Sequence, residues 1–137
     1  MAKKDENEVI SILGKHFPHV GMTPEKLAFR ISRGARFFVA DEGGQVVGFC
    51  ELRLGKNALL RGIAVEAGAR GSGAGTALIE KAVEEARKEG RKRLYLKVEQ
   101  ANDQAIRVYG RMGFAVVREV VGKLGEMLFL MKKELET

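Results

Sequence analysis

The sequence has no tryptophan, one cysteine and two prolines in 137 residues, and aromatics make up only 7% of it. Each shortage removes a class of protein. A single cysteine, Cys50, forms no internal disulfide, which excludes a small secreted disulfide scaffold. No apolar run approaches the roughly 20 residues of a membrane-spanning helix. The opening MAKKDENEV carries charges with no apolar stretch behind them, so it does not read as a signal peptide, and a cytoplasmic location with no membrane partner is expected. With aromatics scarce, the core has to rest on Val, Ile, Leu, Ala and Phe. The length points to one domain over 1–137, long enough to bury about two-thirds of its unfolded surface.

Charge is present in both signs but unequally. Twenty-four Lys and Arg against 18 Asp and Glu give +6 and a pI near 9.6. A basic balance favours an anionic partner, nucleic acid or a phosphate-rich ligand. The densest cluster, Arg87, Lys88, Arg91, Lys92 and Arg93, straddles a helix end, where cations complement the dipole whatever the function. No aromatic is interleaved to stack bases, so nucleic acid is not the expected partner. His16 and His19 flank Phe17-Pro18 without cysteine or a patterned carboxylate, and no metal site is expected. Cys50 reads as a buried small hydrophobe rather than an acyl carrier.

Periodicity gives the order of elements. Val9, Ile10, Leu13 and Phe17 recur at helical spacing up to Pro18. Thr23-Pro24 opens a second helix carrying Leu27 and Ile31 to Gly34. Phe37 to Ala40 is a short apolar run ending at the turn signal Asp41-Glu42-Gly43-Gly44, followed by strands over 45–54 and 59–65. Leu78, Ile79, Ala82, Val83 and Ala86 form one helical stripe, which Gly90 ends. Leu94, Leu96 and Val98 alternate as a strand, Asn102 caps a helix running to Gly113, and two strands close the chain over 114–121 and 127–131. The fold class is therefore α/β with a mixed sheet: an antiparallel meander, then a strand–helix–strand crossover that must pair in parallel, with helices on both faces.

The stretch with the most chemistry in it is Val65-Glu66-Ala67-Gly68-Ala69-Arg70-Gly71-Ser72-Gly73-Ala74-Gly75-Thr76, between a strand and the most regular helix. Glycines let backbone N–H groups converge on an anion, and the helix behind adds unpaired N–H groups and a positive dipole end. A Walker loop needs lysine before Thr76, but Gly75 stands there. The G-x-G-x-x-G pattern fails from Gly71, which reaches Thr76, and from Gly73, which reaches Leu78. What remains is Arg70-x-x-Gly73-x-Gly75, and behind it Asn102-x-x-Ala105-x-x-x-Tyr109-x-x-x-Gly113-Phe114.

At that spacing the two motifs resemble the GNAT acetyltransferase superfamily, from about residue 36 to the C-terminus. The resemblance implies acetyl-CoA bound where two neighbouring parallel strands splay apart. Its pantetheine arm would run along Ile63, Ala64 and Val65. The pyrophosphate would rest on the N–H groups of Arg70, Gly71, Ser72, Gly73, Ala74 and Gly75, with the hydroxyl of Thr76 in reach. Asn102, Ala105 and Tyr109 would line the thiol end, and Arg111 would stand at the phosphate end unless it is only part of a solvated helix face. Tyr109 resembles the family's proton donor to the CoA sulfur, and a backbone N–H near Val65 its oxyanion donor.

The general base is open. Positions where many relatives carry a glutamate correspond to Leu59 and Lys97, and Lys97 also weakens a likeness to the ribosomal-protein N-terminal acetyltransferases. Glu51 is the remaining candidate catalytic carboxylate, with Glu66 and Glu99 behind it. A three-residue loop at Gly55-Lys56-Asn57 would set Glu51 opposite Arg61, and a cross-strand ion pair is the competing reading. The family usually begins with a strand, and MAKKDENE is too charged to be one, so that strand is expected to be missing and an edge left open unless a second subunit, as in a homodimer, covers it. The expected activity is an acyl-CoA-dependent N-acetyltransferase acting on a small-molecule or protein amine. The alternatives are an acyl-CoA-sensing domain without turnover and a basic nucleic-acid-binding module.

Overall fold

A computed structural model describes residues 7, 10–12, 14, 23–66 and 73–135. Asn7, Ile10, Ser11, Ile12 and Gly14 are helical. The first helix described as a whole, α1 (Pro24–Ser32), starts as the sequence requires: the Thr23 side chain accepts from the Lys26 N–H and Pro24 fills the first turn, where its missing donor costs nothing. The elements that follow are β1 (Ala35–Glu42), β2 (Gln45–Leu54), β3 (Ala58–Val65), α2 (Ala74–Lys88), β4 (Arg93–Glu99), α3 (Asp103–Arg111), β5 (Ala115–Val121) and β6 (Met127–Glu134).

Six strands form one sheet in the order β1-β2-β3-β4-β6-β5. Every neighbouring pair is antiparallel except β3 with β4, the crossover pair joined through α2. This is the mixed α/β architecture the element order implies. Two strands run further than their apolar stretches. β1 continues through Asp41 and Glu42 because its ladder with β2 persists to Glu42↔Gln45, where Gly43 and Gly44, at φ 62° and 84°, make a two-residue turn that needs positive φ at both positions. β6 reaches Glu134 because β4 pairs with it along its whole length, from Glu99↔Leu128 to Arg93↔Glu134.

Side-chain alternation divides the core between the two faces of the sheet. Cys50, Leu52, Leu60, Leu94, Leu96 and Met131 are all within 4% of full burial and pack with Leu78, Ile79, Ala82, Val83 and Ala86 of α2. On the other face Phe37, Val46, Phe49 and Ala64 meet Leu27 of α1 and Ile12. Leu27 carries α1 alone: Ile31, expected to share its stripe, is 41% exposed.

Candidate active site

The parallel pair is short. β3 and β4 are in register only at Ala58↔Leu94, Leu59↔Tyr95 and Leu60↔Leu96, although each strand continues. On its other side β3 stays paired with β2 through Cys50↔Ile63, Phe49↔Ala64 and Gly48↔Val65, and the Glu66 N–H donates to the Val47 carbonyl at 2.7 Å. The edge of Ile63, Ala64 and Val65 that faces β4 is thus left without ladder partners. A bulge helps to part the strands: the β2–β3 register slips between Glu51 and Leu52, so Leu52 faces Leu60 while Glu51 faces Gly62, and Arg61 is the extra residue.

The chain leaves β3 toward α2, whose start differs from those of α1 and α3. Thr23 caps α1 and Glu25 lies in its first turn; Asn102 caps α3, accepting from the Ala105 N–H at 3.1 Å, and Asp103 lies in its first turn. α2 has neither. Its N-cap is Gly73, at φ 90°, a conformation that glycine adopts without strain, and no acidic residue occupies its first turn. Among the described residues a Cβ at Gly73 would meet nothing within 4 Å, whereas one at Gly75 would come to 3.8 Å from Cγ2 of Val65. The Ala77 N–H is the first to find an intrahelical carbonyl, that of Gly73, which leaves the N–H groups of Ala74, Gly75 and Thr76 aimed outward. Thr76 is exposed and Ala74 buried. Arg70, Gly71 and Ser72 lie outside the described residues, as do His16 and His19.

α3 brings up Tyr109, which is 8% exposed and stacks edge-on against Phe114 with ring centroids 5.8 Å apart. Burial pushes its hydroxyl above the ordinary tyrosine value of 10.0. No described group hydrogen-bonds that hydroxyl. The Asn102 carbonyl oxygen is occupied as the cap, so its amide N–H₂ is the group left to donate to a ligand. Ala105 is half-buried, and Arg111 is exposed in the last turn of α3.

Glu51 does not pair with Arg61. The bulge removes that register, and the carboxylate of Glu51, 6% exposed, instead accepts from Nε of Arg30 at 3.1 Å. Sequence reading missed Arg30, although it stands three residues after Leu27 and so shares that residue's inward side of α1. Arg61 remains close by: desolvation lowers its guanidinium from the usual value, Arg30 and Arg53 lower it further, and Glu51 opposes them. Cys50 is buried under α2, and that burial raises its thiol to about 12, which leaves it inert as a nucleophile. Leu59 is half-buried and Lys97 exposed, so the two strands offer no carboxylate at those places. No described helix is long and apolar enough to cross a membrane.

Comparison with known proteins bears on this arrangement. The family model described as "Acetyltransferase (GNAT) family" matches residues 7–114. An uncharacterized N-acetyltransferase of Methanocaldococcus jannaschii is 41% identical over 96 residues, which cover 64% of this chain and 42% of that protein. The chain thus spans less than half the length of that relative. Among solved structures, the ribosomal-protein-alanine N-acetyltransferase of Brucella melitensis superposes with a TM-score of 0.85 at 25% identity, covering 98% of this chain and 97% of that one. An aminoglycoside 6'-N-acetyltransferase complexed with coenzyme A superposes with a TM-score of 0.84 at 15% identity, over 99% and 93% of the two chains, a likeness of fold alone. A family match over most of the chain, on a mixed sheet whose one parallel pair parts beside an uncapped helix, means that this protein belongs to the GNAT acetyltransferase family, whose chemistry is acetyl transfer.

Proposed function

We propose that the chain, acting as one domain over 1–137 in the cytoplasm, transfers the acetyl group of acetyl-CoA to a primary amine by direct attack. The observation that carries this reading is the parting of β3 from β4 after Leu60 and Leu96, beside a helix start with no cap and no acid of its own. The free edge of Ile63, Ala64 and Val65 suits the amide groups of a pantetheine arm, which would add to β3 as a strand does. The outward N–H groups of Ala74, Gly75 and Thr76, together with the helix dipole, suit a pyrophosphate, with Arg70, Gly71 and Ser72 completing the cradle. The Thr76 hydroxyl and Arg111 are assigned to the phosphate end, and Asn102, Ala105 and Tyr109 to the thiol end. The coenzyme A held by the aminoglycoside acetyltransferase of the same fold supports the donor, and the names of the relatives support an amine acceptor.

In this reading a neutral amine attacks the thioester carbonyl, and a backbone N–H near Val65 donates to the oxyanion that forms. The C–S bond then breaks, its electron pair stays on sulfur, and the Tyr109 hydroxyl hydrogen-bonds to the departing thiolate. A phenol raised by burial stays protonated throughout the neutral range, and giving its proton outright to a thiolate, whose conjugate thiol has a pKa of roughly 8.5, is uphill. Tyr109 therefore assists chiefly by hydrogen bonding. The amine's proton leaves through water to solvent, or to Glu51 once that carboxylate loosens from Arg30.

Acetyl-CoA should raise the melting temperature in a concentration-dependent way, and an amine panel should show release of the CoA thiol. No shift at millimolar acetyl-CoA in a chain with intact circular dichroism would contradict the reading. A shift without thiol release from any amine would favour an acyl-CoA-binding domain without turnover.

A further inference from the structure

The open edge of β3 and the start of α2 account for the donor, while the opposite face of the sheet has a charge pattern of its own. Leu52, Leu96 and Met131 are buried against α2, so Arg53, Lys97 and Lys132, each the next residue along its strand, point to the other face. Arg61, in the bulge after Leu60, lies within the electrostatic reach of Arg30, Glu51 and Arg53 and so belongs to that side too. The apolar cover of this face, from Ile12 and Leu27, extends among the described residues over β1 to β3.

Two acids of this face are taken. Glu51 is held by Arg30 at 3.1 Å, and Glu134 by Arg93 at 3.0 Å and Lys132 at 3.6 Å. Glu99, at the end of β4, and Asp41, opposite Val46 near the end of β1, are the others on the described strands. Arg53, Arg61 and Lys97 have no ion-pair partner among the described residues. Position makes these three cations informative. Arg61 and Lys97 directly follow Leu60 and Leu96, the last residues that β3 and β4 pair, so both flank the opening through which an acceptor would meet the donor. Arg53 shares the face of β2 with Glu51, two residues away.

We propose that Arg53, Arg61 and Lys97 form an anion subsite for the acceptor, so that the amine acetylated is the N-terminus of an acidic peptide. The proposal rests on the acetyl-transfer reading and supplies its substrate class. A polycationic amine would bring like charge onto this face, which costs affinity and slows encounter, whereas a carboxylate near the reacting amine gains on both counts. Partial desolvation of Arg61 strengthens the interaction with an arriving anion.

The test compares three acceptors with acetyl-CoA as donor: a short peptide with glutamates after its first residue, the same peptide with glutamines, and spermidine. The wild type should use the acidic peptide with a kcat/KM about tenfold above that of its glutamine counterpart, with the gap narrowing as salt rises. In Arg53→Gln/Lys97→Gln the ratio should fall to about one, and Lys97→Glu should shift the preference toward spermidine. The melting shift given by the acidic peptide alone, and absent with the glutamine peptide, reads the subsite without any turnover. The acetyl-CoA shift is recorded on every variant, so that loss of the donor site, which would count against the acetyl-transfer reading, is seen separately. Equal use of the two peptides, preference for spermidine, or an acidic peptide that neither shifts nor reacts while acetyl-CoA still binds would overturn the proposal.

Discussion

Leu96 and Lys97 are neighbours in β4, yet they belong to different problems. Leu96 is 2% exposed in the layer between the sheet and α2, while Lys97 is exposed on the face that the described helices cover only in part. On β2 Leu52 likewise faces α2, while Glu51 and Arg53 on either side of it face the other way. One face of the sheet is packed by apolar burial along β2, β3, β4 and β6. The other has an apolar cluster of its own under Leu27 and Ile12 over β1 to β3. Beyond that cluster it carries charge beside the point where two strands part, and there burial gives way to ion pairs and open guanidinium groups. Because the pleat assigns alternate residues to alternate faces, one strand can serve both ends without compromise.

The largest effect that would break this comparison is in stability. Leu96→Ala should cost about 2–5 kcal/mol, the usual penalty for truncating a buried leucine, whereas Lys97→Ala should stay within about 0.5 kcal/mol. Urea unfolding of the two variants checks this, and similar losses would mean that Lys97 itself contributes packing. A smaller effect is expected at Glu51. Glu51→Gln removes the charge that holds Arg30 but keeps the shape, and should cost about 1–2 kcal/mol. If Glu51 also takes the amine's proton, the same variant should lose rate most strongly at low pH, where neutral amine is scarce. A pH–rate profile parallel to that of the wild type would restrict Glu51 to its ion pair.

The smallest effect concerns pH on the apolar side. The Cys50 thiol, at about 12 in the folded chain against an ordinary 9.0, binds its proton more tightly when folded. Its contribution to stability is therefore complete below about pH 9 and lost as pH rises toward 12. Tyr109, also raised by burial, adds loss of the same sign. Urea unfolding at pH 8 and pH 10 should show a gentler alkaline decline in Cys50→Ala than in the wild type. Identical slopes would remove the thiol from the account.

The two faces were not equally legible in the sequence. The α2 stripe and the alternation of Leu94, Leu96 and Val98 follow from their periods, so the face against α2 could be read directly, as could the local signals at the Gly43-Gly44 turn and the Thr23 cap. The Glu51 contact could not. It depends on a one-residue slip at Arg61 that no local composition marks, and on the position of α1, which sets Arg30 against β2 across 21 residues of chain. Ile31 misled for a related reason: a nine-residue helix with one deeply buried leucine leaves its other apolar positions to solvent. The glycine motif was legible as chemistry, because its spacing alone rejects the Walker and dinucleotide patterns, and the uncapped start of α2 is its physical counterpart. Tyr109 was legible twice over, as a motif residue and as an apolar-face residue, and burial alone does not choose between those two roles.

The measurement that chooses is the rate of CoA thiol release by Tyr109→Phe with an amine that the wild type acetylates. The ring, its edge-on contact with Phe114 and most of its burial survive this change, so melting temperature and the acetyl-CoA shift should stay at wild-type values. Only the hydrogen bond to the departing thiolate is lost, and such a loss appears in kcat rather than in binding. Assistance of this kind is commonly worth about 10²–10⁴-fold, so kcat should fall at least tenfold. Turnover at the wild-type rate would contradict the account and leave Tyr109 as a core tyrosine.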